Sequence, residues 1–320
     1  MLFITNRVPE QSHMSRVNRP ISFDFRDTNP LASVFFCRRN GPNDYVEVTS
    51  QPFFQELRES PAKQILFYLH GFNNLPEASI FQKAQELQQL ADDHENDLLQ
   101  VVPLIWPCSD PASANLVDRY FDDRRAALGS AIAFSRVLGK FSGWVEACRA
   151  DGETCTKRLN MLAHSMGNRV LQESLQVWAS EELRRDPPQV FRNIFMPAAD
   201  IVNEALQPSH RGSMIPMAGR NVVVYFADDD RALQASKVAN ANQRSRRLGH
   251  SGPYNMASVP ANVFAKDCDS FNGVYDPSAG HTYFGRDENG QPGKLFDDMI
   301  RAVKTGRVPG YENNQRSFVF

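Results

Sequence analysis

Apolar and polar positions follow two alternating patterns from residue 64 to the end of the chain. A continuous apolar run, typical of a strand buried on both faces, lies at 65–69, and further strand-like segments lie at 98–106, 158–164, 190–196 and 221–226, with a weaker one at 263–265. Between them, apolar positions recur at helical spacing at 76–93, at 119–148 with a break near Gly143, and at 292–304. Such repeated strand–helix units predict an α/β fold with a mostly parallel central sheet and helices on both faces.

The first 60 residues follow a less regular pattern. Strand-like pieces lie at 21–25, 32–36 and 45–48, and an Asn40–Gly41 turn separates the last two. Pro, Asn, Arg and Ser are frequent between these pieces. We therefore expect two units: a small N-terminal β extension at 1–60, packed on a main α/β domain at 61–320.

A candidate nucleophile lies where the apolar run 158–164 ends. Ser165 has the small residues Ala163 and Gly167 two positions away on either side, and a helical pattern follows at once. A serine on a sharp turn between a strand and a helix is the arrangement on which α/β hydrolases carry their nucleophile. Ala163 departs from the strict G-x-S-x-G pattern, but a methyl group should still fit there.

The candidate base is a histidine downstream of this serine. A serine hydroxyl becomes a good nucleophile when a base takes its proton and a third group orients that base. In this fold the acid and the histidine follow the serine along the chain. Of the downstream histidines, His210 and His250 lie in polar or basic loops, whereas His281 lies between the last strand and the last helix. We predict His281 as the base.

The candidate acid lies in the loop after a strand. Asp228, Asp229 and Asp230 directly follow the strongest apolar run, and Asp230 is well placed to cap a helix that starts at Arg231. We favour Asp230 for this reason. Asp228, Asp229 and Asp200, which follows the preceding strand, stay open as alternatives.

Two backbone N–H groups are the expected donors for an oxyanion. One belongs to Met166, the residue after the predicted nucleophile, and the other comes from the loop after an early strand. That loop reads His70-Gly71-Phe72-Asn73-Asn74, and Gly71 would let the backbone turn inward so that Phe72 N–H can donate. By position, His70 and His164 are predicted to support the site rather than to act as bases.

The composition narrows the class of protein. The formal net charge of −2 gives no electrostatic reason to expect a nucleic-acid partner. The N-terminus lacks the features of a secretory signal, and no apolar stretch approaches the length of a membrane span. The five cysteines are scattered without metal-ligand spacing, and there is no Gly-rich phosphate loop. We expect a cytoplasmic protein with free thiols, no metal and no cofactor.

Two charged runs are predicted to be solvated. One is the basic run Arg244, Ser245, Arg246 and Arg247, for which the alternative is a place at the pocket mouth that attracts an anionic substrate. The other is the charged face of the helix around Asp118, Asp122, Asp123, Arg124 and Arg125.

Together, the motifs resemble a family of largely uncharacterised bacterial α/β hydrolases. The matching segments are Phe3–Arg7 (FITNR), His70–Asn74 (HGFNN), Ala163–Asn168 (AHSMGN), Asp230–Leu233 (DRAL) and Gly280–Phe284 (GHTYF). The resemblance covers roughly residues 64–300 firmly and the N-terminal part loosely. It implies Ser165, Asp230 and His281 as a catalytic triad, and it says little about the substrate.

The expected function is a serine hydrolase that cleaves a small-molecule carboxylic ester or thioester through an acyl-enzyme on Ser165. A hydrolase fold used only for binding is an alternative from another class, since fold alone does not fix function. A lipase or a peptidase of the same fold is a further alternative. A lipase would need an apolar lid, and the segment 234–262 is too polar to be a good one. The oligomeric state is not predictable from these patterns.

Overall fold

The computed structural model describes residues 1–110, 115–150, 157–234, 246–287, 289–311 and 315–320. In these residues, eleven strands form one sheet in the order β11-β10-β9-β8-β7-β5-β6-β1-β3-β4-β2. The strands are β1 Leu2–Thr5, β2 Arg19–Pro20, β3 Phe35–Gly41, β4 Asp44–Glu47, β5 Gln64–Leu69, β6 Leu99–Ile105, β7 Arg158–Ala163, β8 Phe191–Pro197, β9 Gly219–Phe226, β10 Val263–Asp267 and β11 Ser317–Val319. The run from β11 to β1 is parallel, and the pairs β1–β3, β3–β4 and β4–β2 are antiparallel.

Helices cover both faces of this sheet. They are α1 Ser50–Glu59, α2 Phe81–His94, α3 Leu116–Gly129, α4 Ala131–Ala150, α5 Gly167–Val177, α6 Met214–Ala218, α7 Leu248–Ser251, α8 Asn272–Tyr275 and α9 Lys294–Thr305. One apolar core packs α1, α3, α4 and α5 against the sheet, and a second core packs α2 and α9 against the other face. The α/β architecture with a mostly parallel sheet and helices on both faces is therefore confirmed.

The N-terminal strands differ in detail from the predicted ones. Residues 21–25 do not form a strand; Phe23 makes an isolated bridge to Pro9 and is buried in the core. The apolar pattern at 21–25 reflects buried side chains and not a paired strand. The strand predicted at 32–36 lies at β3 instead, and the hairpin turns between Gly41 and Asp44. The unpredicted strand β1 hydrogen-bonds to β6, so these strands extend the main sheet directly. The division into units at 1–60 and 61–320 stays a prediction.

The helices differ mainly at their ends and breaks. The predicted helix at 76–93 starts with a π-helical turn at Pro76–Ile80 before α2, and helix α1 was missed. The long pattern at 119–148 breaks at Ser130, not near Gly143, where a Cβ would meet nothing within 4 Å. Across the described residues, no helix has the length and apolar character needed to cross a membrane.

A buried row of amide side chains crosses four neighbouring strands near their amino ends. Asn160 Nδ2 donates to Gln64 Oε1 (3.2 Å), Asn193 Nδ2 donates to Asn160 Oδ1 (2.7 Å), and Asn221 Nδ2 donates to Asn193 Oδ1 (2.8 Å). Gln64 and Asn221 also donate to backbone carbonyls at the end of α9 and just after it. Each amide thus finds partners away from water, as buried polar groups require. The row joins β5, β7, β8 and β9, which carry the candidate site at their opposite ends.

Candidate active site

Ser165 lies on a sharp turn between β7 and α5. Its φ is +52°, in the left-handed region that costs a non-glycine residue about 1–2 kcal/mol. Backbone hydrogen bonds from Ser165 N–H to the Pro197 carbonyl (3.2 Å) and from Asp200 N–H to the Ser165 carbonyl (3.1 Å) hold the turn. A Cβ on Gly167 would lie 2.5 Å from the Leu69 carbonyl oxygen, so no larger residue fits there. The turn thus explains the glycine at plus two.

His281 and Asp230 meet beside this turn. His281 Nδ1 lies 2.7 Å from Asp230 Oδ2, and the Asp230 side chain is fully buried. Its other oxygen, Oδ1, accepts the Leu233 N–H (2.9 Å) at the start of a helical segment, as expected of a cap. Burial lowers the pKa of His281, but the charge and hydrogen bond of Asp230 outweigh it, so the pKa is raised from its ordinary value. The Nδ1 proton therefore points to Asp230, and Nε2 is left to accept a proton.

The other three candidate carboxylates have different partners. Asp228 and Asp229 are exposed, and Asp229 Oδ1 accepts from Asn272 Nδ2 (2.5 Å). Asp200 Oδ2 accepts from Tyr120 Oη (2.9 Å), and Asp200 Oδ1 lies 3.2 Å from Arg247 Nε. Among these four carboxylates, Asp230 is the one that contacts the imidazole.

The loop that carries His281 is held by Asp276, a residue that the sequence analysis did not single out. Its carboxylate accepts backbone N–H groups from Ala279, His281 and Thr282, each at 3.1 Å. Burial raises the pKa of Asp276, but these bonds and one from the Ser278 hydroxyl outweigh it, and the pKa falls to about 2. The anion therefore fixes the backbone on which the imidazole is mounted.

The loop after β5 lies against the nucleophile turn. A Cβ on Gly71 would approach the Ser165 Cβ to 3.0 Å, which shows how closely the two backbones pass. Phe72 lines the same cavity as Ser165, and Met166 directly follows the serine in the chain. Their backbone N–H groups stay the predicted donors for a developing oxyanion.

His70 supports this loop from behind. Its ring stacks on Trp106, with ring centroids 5.0 Å apart. Because the Trp106 N–H donates to Nε2 (3.2 Å), the proton is assigned to Nδ1, which donates to the Gly71 carbonyl (2.8 Å). Burial lowers the pKa of His70 to about 3, so the ring is neutral at ordinary pH. His164 is likewise neutral because burial, and then the charge of His281, hold its pKa well below the usual value.

The prediction of a solvated charged face on α3 is wrong for Asp123. Its side chain is fully buried, and it accepts the Ser109 N–H (2.6 Å) and the Asn73 N–H (3.0 Å). Asn73 directly follows Phe72, so Asp123 ties α3 to the loop that carries a candidate oxyanion donor. The signal was present in the sequence: Asp123 shares a helical face with the buried residues Tyr120 and Ala127.

The prediction for the basic run 244–247 is also wrong at one position. Arg247 is 2% exposed and lies against Asp200, whereas Arg246 is exposed. Residues 244 and 245 lie outside the described part of the chain, as does much of the segment 234–262 that was examined as a lid. A buried arginine beside a buried carboxylate gives no sequence signal, because a basic run normally indicates a solvated loop.

A cavity of about 220 Å³ opens above Ser165 and His281. Its walls are mainly apolar, and Leu116 and Val117 at the start of α3 are about half exposed, at 53% and 54%. The lining residues are Phe72, Asn74, Leu116, Val117, Tyr120, His164, Ser165, Asp200, Ala232, Leu233, His281 and Thr282. His210 and His250 are not among them. Among the residues that the structure describes, no cluster of His, Cys, Asp or Glu is arranged to hold a metal ion.

The sheet, the serine turn and the adjoining histidine–carboxylate pair define an α/β hydrolase. The chain belongs to the family described as "Alpha/beta hydrolase of unknown function (DUF900)", whose model matches residues 47–272. This membership supports hydrolase activity.

Two solved structures of a phospholipase, PlaB from Legionella pneumophila, are similar to parts of the chain. The complex with thio-NAD has 15% identity and a TM-score of 0.27, and the match covers 64% of this chain and 37% of that one. The second structure has 13% identity and a TM-score of 0.29, with coverage of 68% and 40%. The chain thus spans about two fifths of the length of these phospholipase chains. No curated protein matches the chain.

Proposed function

We propose that the protein is a serine hydrolase that cleaves a carboxylic ester or thioester through an acyl-enzyme on Ser165. The observation that carries this proposal is the 2.7 Å contact between His281 Nδ1 and Asp230 Oδ2, in a cavity that His281 shares with Ser165. A buried carboxylate that holds Nδ1–H leaves Nε2 as the base. The left-handed backbone of Ser165 supports the same role, because strain of this kind clusters at functional turns.

The first half of the reaction forms the acyl-enzyme. His281 Nε2 takes the proton of the Ser165 hydroxyl as its oxygen bonds to the carbonyl carbon of the substrate. The Phe72 and Met166 N–H groups donate to the oxyanion that forms. The bond to the leaving group then breaks, and the departing oxygen or sulfur takes the proton from His281.

The second half releases the acid. A water molecule gives a proton to His281 Nε2 as its oxygen attacks the acyl carbon on Ser165. The tetrahedral intermediate is held by the same two N–H groups, and its collapse returns the proton to the serine oxygen. Asp230 accepts the Nδ1–H of His281 in both halves and stabilises the imidazolium that forms in each.

The shape of the cavity favours an apolar acyl group. Phe72, Leu116, Val117 and Leu233 line it beside the serine, and a volume of about 220 Å³ suits a small molecule. An acyl chain placed there would cover the half-exposed side chains of Leu116 and Val117. We therefore expect uncharged, apolar acyl groups to be preferred over charged ones.

A fluorophosphonate probe tests the proposal. The folded wild-type protein should be labelled at Ser165, and Ser165→Ala should not be labelled. Ser180→Ala, which changes an exposed serine, is the matched control and should be labelled like wild type. Wild-type protein that stays unlabelled, or equal labelling of Ser165→Ala, would refute the proposal. A panel of p-nitrophenyl esters of increasing chain length then measures the acyl preference.

A further inference from the structure

The cavity above Ser165 has an apolar part and a polar part. An acyl group would lie against the apolar side chains, which are Phe72, Leu116, Val117 and Leu233. Apart from Ser165 and His281, the remaining lining residues are Asn74, Tyr120, His164, Asp200, Ala232 and Thr282. All of these except Ala232 carry polar side-chain atoms, so the alcohol part of an ester would lie against a mainly polar wall.

Asn74 presents an amide oxygen to this wall. Its Nδ2 group donates to the carbonyls of Phe72 (2.7 Å) and Gly71 (3.2 Å), which fixes the orientation of the amide. Oδ1 is the remaining polar atom of the side chain, and no donor among the described residues is hydrogen-bonded to it. This oxygen can therefore accept a hydrogen bond from a molecule in the cavity.

His164 offers a second acceptor. Its side chain is buried, with 4% exposed, and its Nε2 lies 3.3 Å from the carbonyl oxygen of His281. A carbonyl oxygen only accepts, so the proton of the neutral ring is assigned to Nε2, and Nδ1 keeps a lone pair. Within the described part of the chain, no donor is hydrogen-bonded to Nδ1. A Cβ on Gly71 would lie 3.0 Å from Nδ1, so this atom adjoins the loop that also carries Asn74.

The other polar groups of the wall suit an uncharged ligand. The backbone N–H of Thr282 donates to Asp276, whereas its hydroxyl makes no hydrogen bond to a described residue. Asp200 pairs with Arg247 at 3.2 Å and accepts from Tyr120, so its charge is balanced. No lysine or arginine is found among the described lining residues. An anion would therefore meet acceptors without a cation, and a cation would meet no unbalanced carboxylate.

We propose that the alcohol part of the substrate is an uncharged polyol, whose free hydroxyl groups donate to Asn74 Oδ1 and His164 Nδ1. An ester without such donors would displace water from both acceptors and leave them unpaired, which weakens its binding in the transition state. The proposal rests on the ester hydrolysis proposed for Ser165 and adds the class of alcohol that leaves.

A matched series of butanoate esters tests this specificity. Monobutanoylglycerol is compared with its di-O-methyl ether, which has no hydroxyl donor, with the cationic butanoylcholine and with the anionic butanoyl ester of glycolic acid. The release of butanoate gives kcat/KM for each ester. We expect the glycerol ester to exceed its di-O-methyl ether by about tenfold or more, with both charged esters below it.

Two kinds of failure can be told apart. Hydrolysis of p-nitrophenyl butanoate with no preference for the glycerol ester, or with a preference for a charged ester, would overturn this inference and leave the function of Ser165 intact. No hydrolysis of any ester, together with no fluorophosphonate labelling, would refute both proposals.

Variants assign the selectivity to side chains. Asn74→Leu removes the amide oxygen at similar size and should lower the ratio of kcat/KM between the glycerol ester and its di-O-methyl ether by about threefold. A disturbed loop would slow both esters alike, so the ratio separates specificity from structural damage. Leu116→Ala is the control, because it changes an apolar lining residue and should leave the ratio unchanged.

A second variant covers the case in which Asn74→Leu does not fold. His164→Phe keeps an aromatic ring between His281 and Phe284, whose ring centroids both lie 4.8 Å from that of His164, and removes the acceptor. The ratio should fall by a similar factor. An unchanged ratio in the folded variants would overturn the proposal.

Discussion

Replacing Asp230 by asparagine is the sharpest perturbation of the candidate site. The change keeps the size of the side chain and removes the charge that faces His281 Nδ1 at 2.7 Å. An amide there can present its NH₂ group to the ring, which would move the imidazole proton to Nε2. With that tautomer, Nε2 can no longer accept the proton of Ser165.

The size and the pH dependence of the effect both follow from this geometry. In Ser-His-Asp triads the acid-to-amide change lowers kcat by about 10⁴-fold, which corresponds to about 5 kcal/mol. The base must be neutral to act, so the wild-type rate should rise with pH through a pKa above the usual value of about 6.5, because the pKa of His281 is raised. In Asp230→Asn, burial is the dominant influence left on the pKa of His281 and lowers it, so the rise of the rate with pH should move to lower pH.

The assay is the pH profile of kcat/KM for a p-nitrophenyl ester. Asp228→Asn is the matched control, because it makes the same chemical change at an exposed position two residues away, and it should stay within about twofold of wild type. Asp200→Asn should lower the free energy of unfolding rather than kcat, because Asp200 pairs with Arg247 and Tyr120 and not with the imidazole. The reasoning fails if Asp230→Asn keeps activity within tenfold of wild type while Asp228→Asn or Asp200→Asn loses it.

Three further variants probe the supports of the site. Gly167→Ala places a Cβ 2.5 Å from a backbone oxygen and should lower the free energy of unfolding, measured in urea, by about 1–3 kcal/mol. The control Gly143→Ala places its Cβ in open space and should not lower the free energy of unfolding. Equal destabilisation by the two variants would contradict the packing argument. Asp123→Asn should lower kcat for ester hydrolysis by about tenfold with a smaller change in KM. The control Asp122→Asn, at the partly exposed neighbouring position, should leave kcat unchanged. A change in KM alone would speak against a positioning role for Asp123. The pKa of Asp276, about 2, lies below its unfolded value of about 3.9, so its contribution is present above pH 4 and lost as pH falls towards 2. Asp276→Asn should therefore unfold more easily at pH 7, by about 1 kcal/mol after allowance for solvent screening, and match wild type near pH 2; a difference independent of pH would exclude this cause.

The order of motifs along the chain carried more information about the site than any single residue. Strand ends of a parallel sheet meet at one edge, so a serine turn, an acidic loop and a histidine loop after successive strands could be expected near one another. The structure brings His281 to Asp230 and places His281 in the cavity with Ser165. Their catalytic roles stay predictions until the probe and the variants are tested.

The supporting residues were harder to predict, for physical reasons. Asp276 acts by collecting backbone N–H groups from a loop that folds back on it, and this depends on loop conformation rather than on residue pattern. Asp123 was hidden among charged neighbours, although its helical spacing from Tyr120 indicated burial. Arg247 has a buried partner 47 positions earlier in the chain, Asp200, and a local pattern does not report such a distant contact.

The fold followed from its alternation of strands and helices because strands buried on both faces have an unmistakable apolar run. Among the N-terminal strands, β3 has mixed burial, whereas β1 is fully buried but only four residues long, and there the pattern misplaced β3 and missed β1. Apolar residues such as Phe23 bury themselves without pairing, and a sequence pattern does not separate these two states.

The amide row from Gln64 to Asn221 sets the relative heights of four strands far from any reacting group. A register slip of one residue shifts a strand by about 3.3 Å, which is more than a hydrogen bond tolerates. Each broken hydrogen bond would leave a buried amide group without a partner. The serine follows β7 and the acidic loop follows β9, so an error in their alignment would carry one group past the other. Hydrogen bonding near the amino ends of these strands thus keeps the groups at their carboxyl ends aligned. A change such as Asn193→Leu should therefore lower the catalytic rate although it lies a whole strand away from the site.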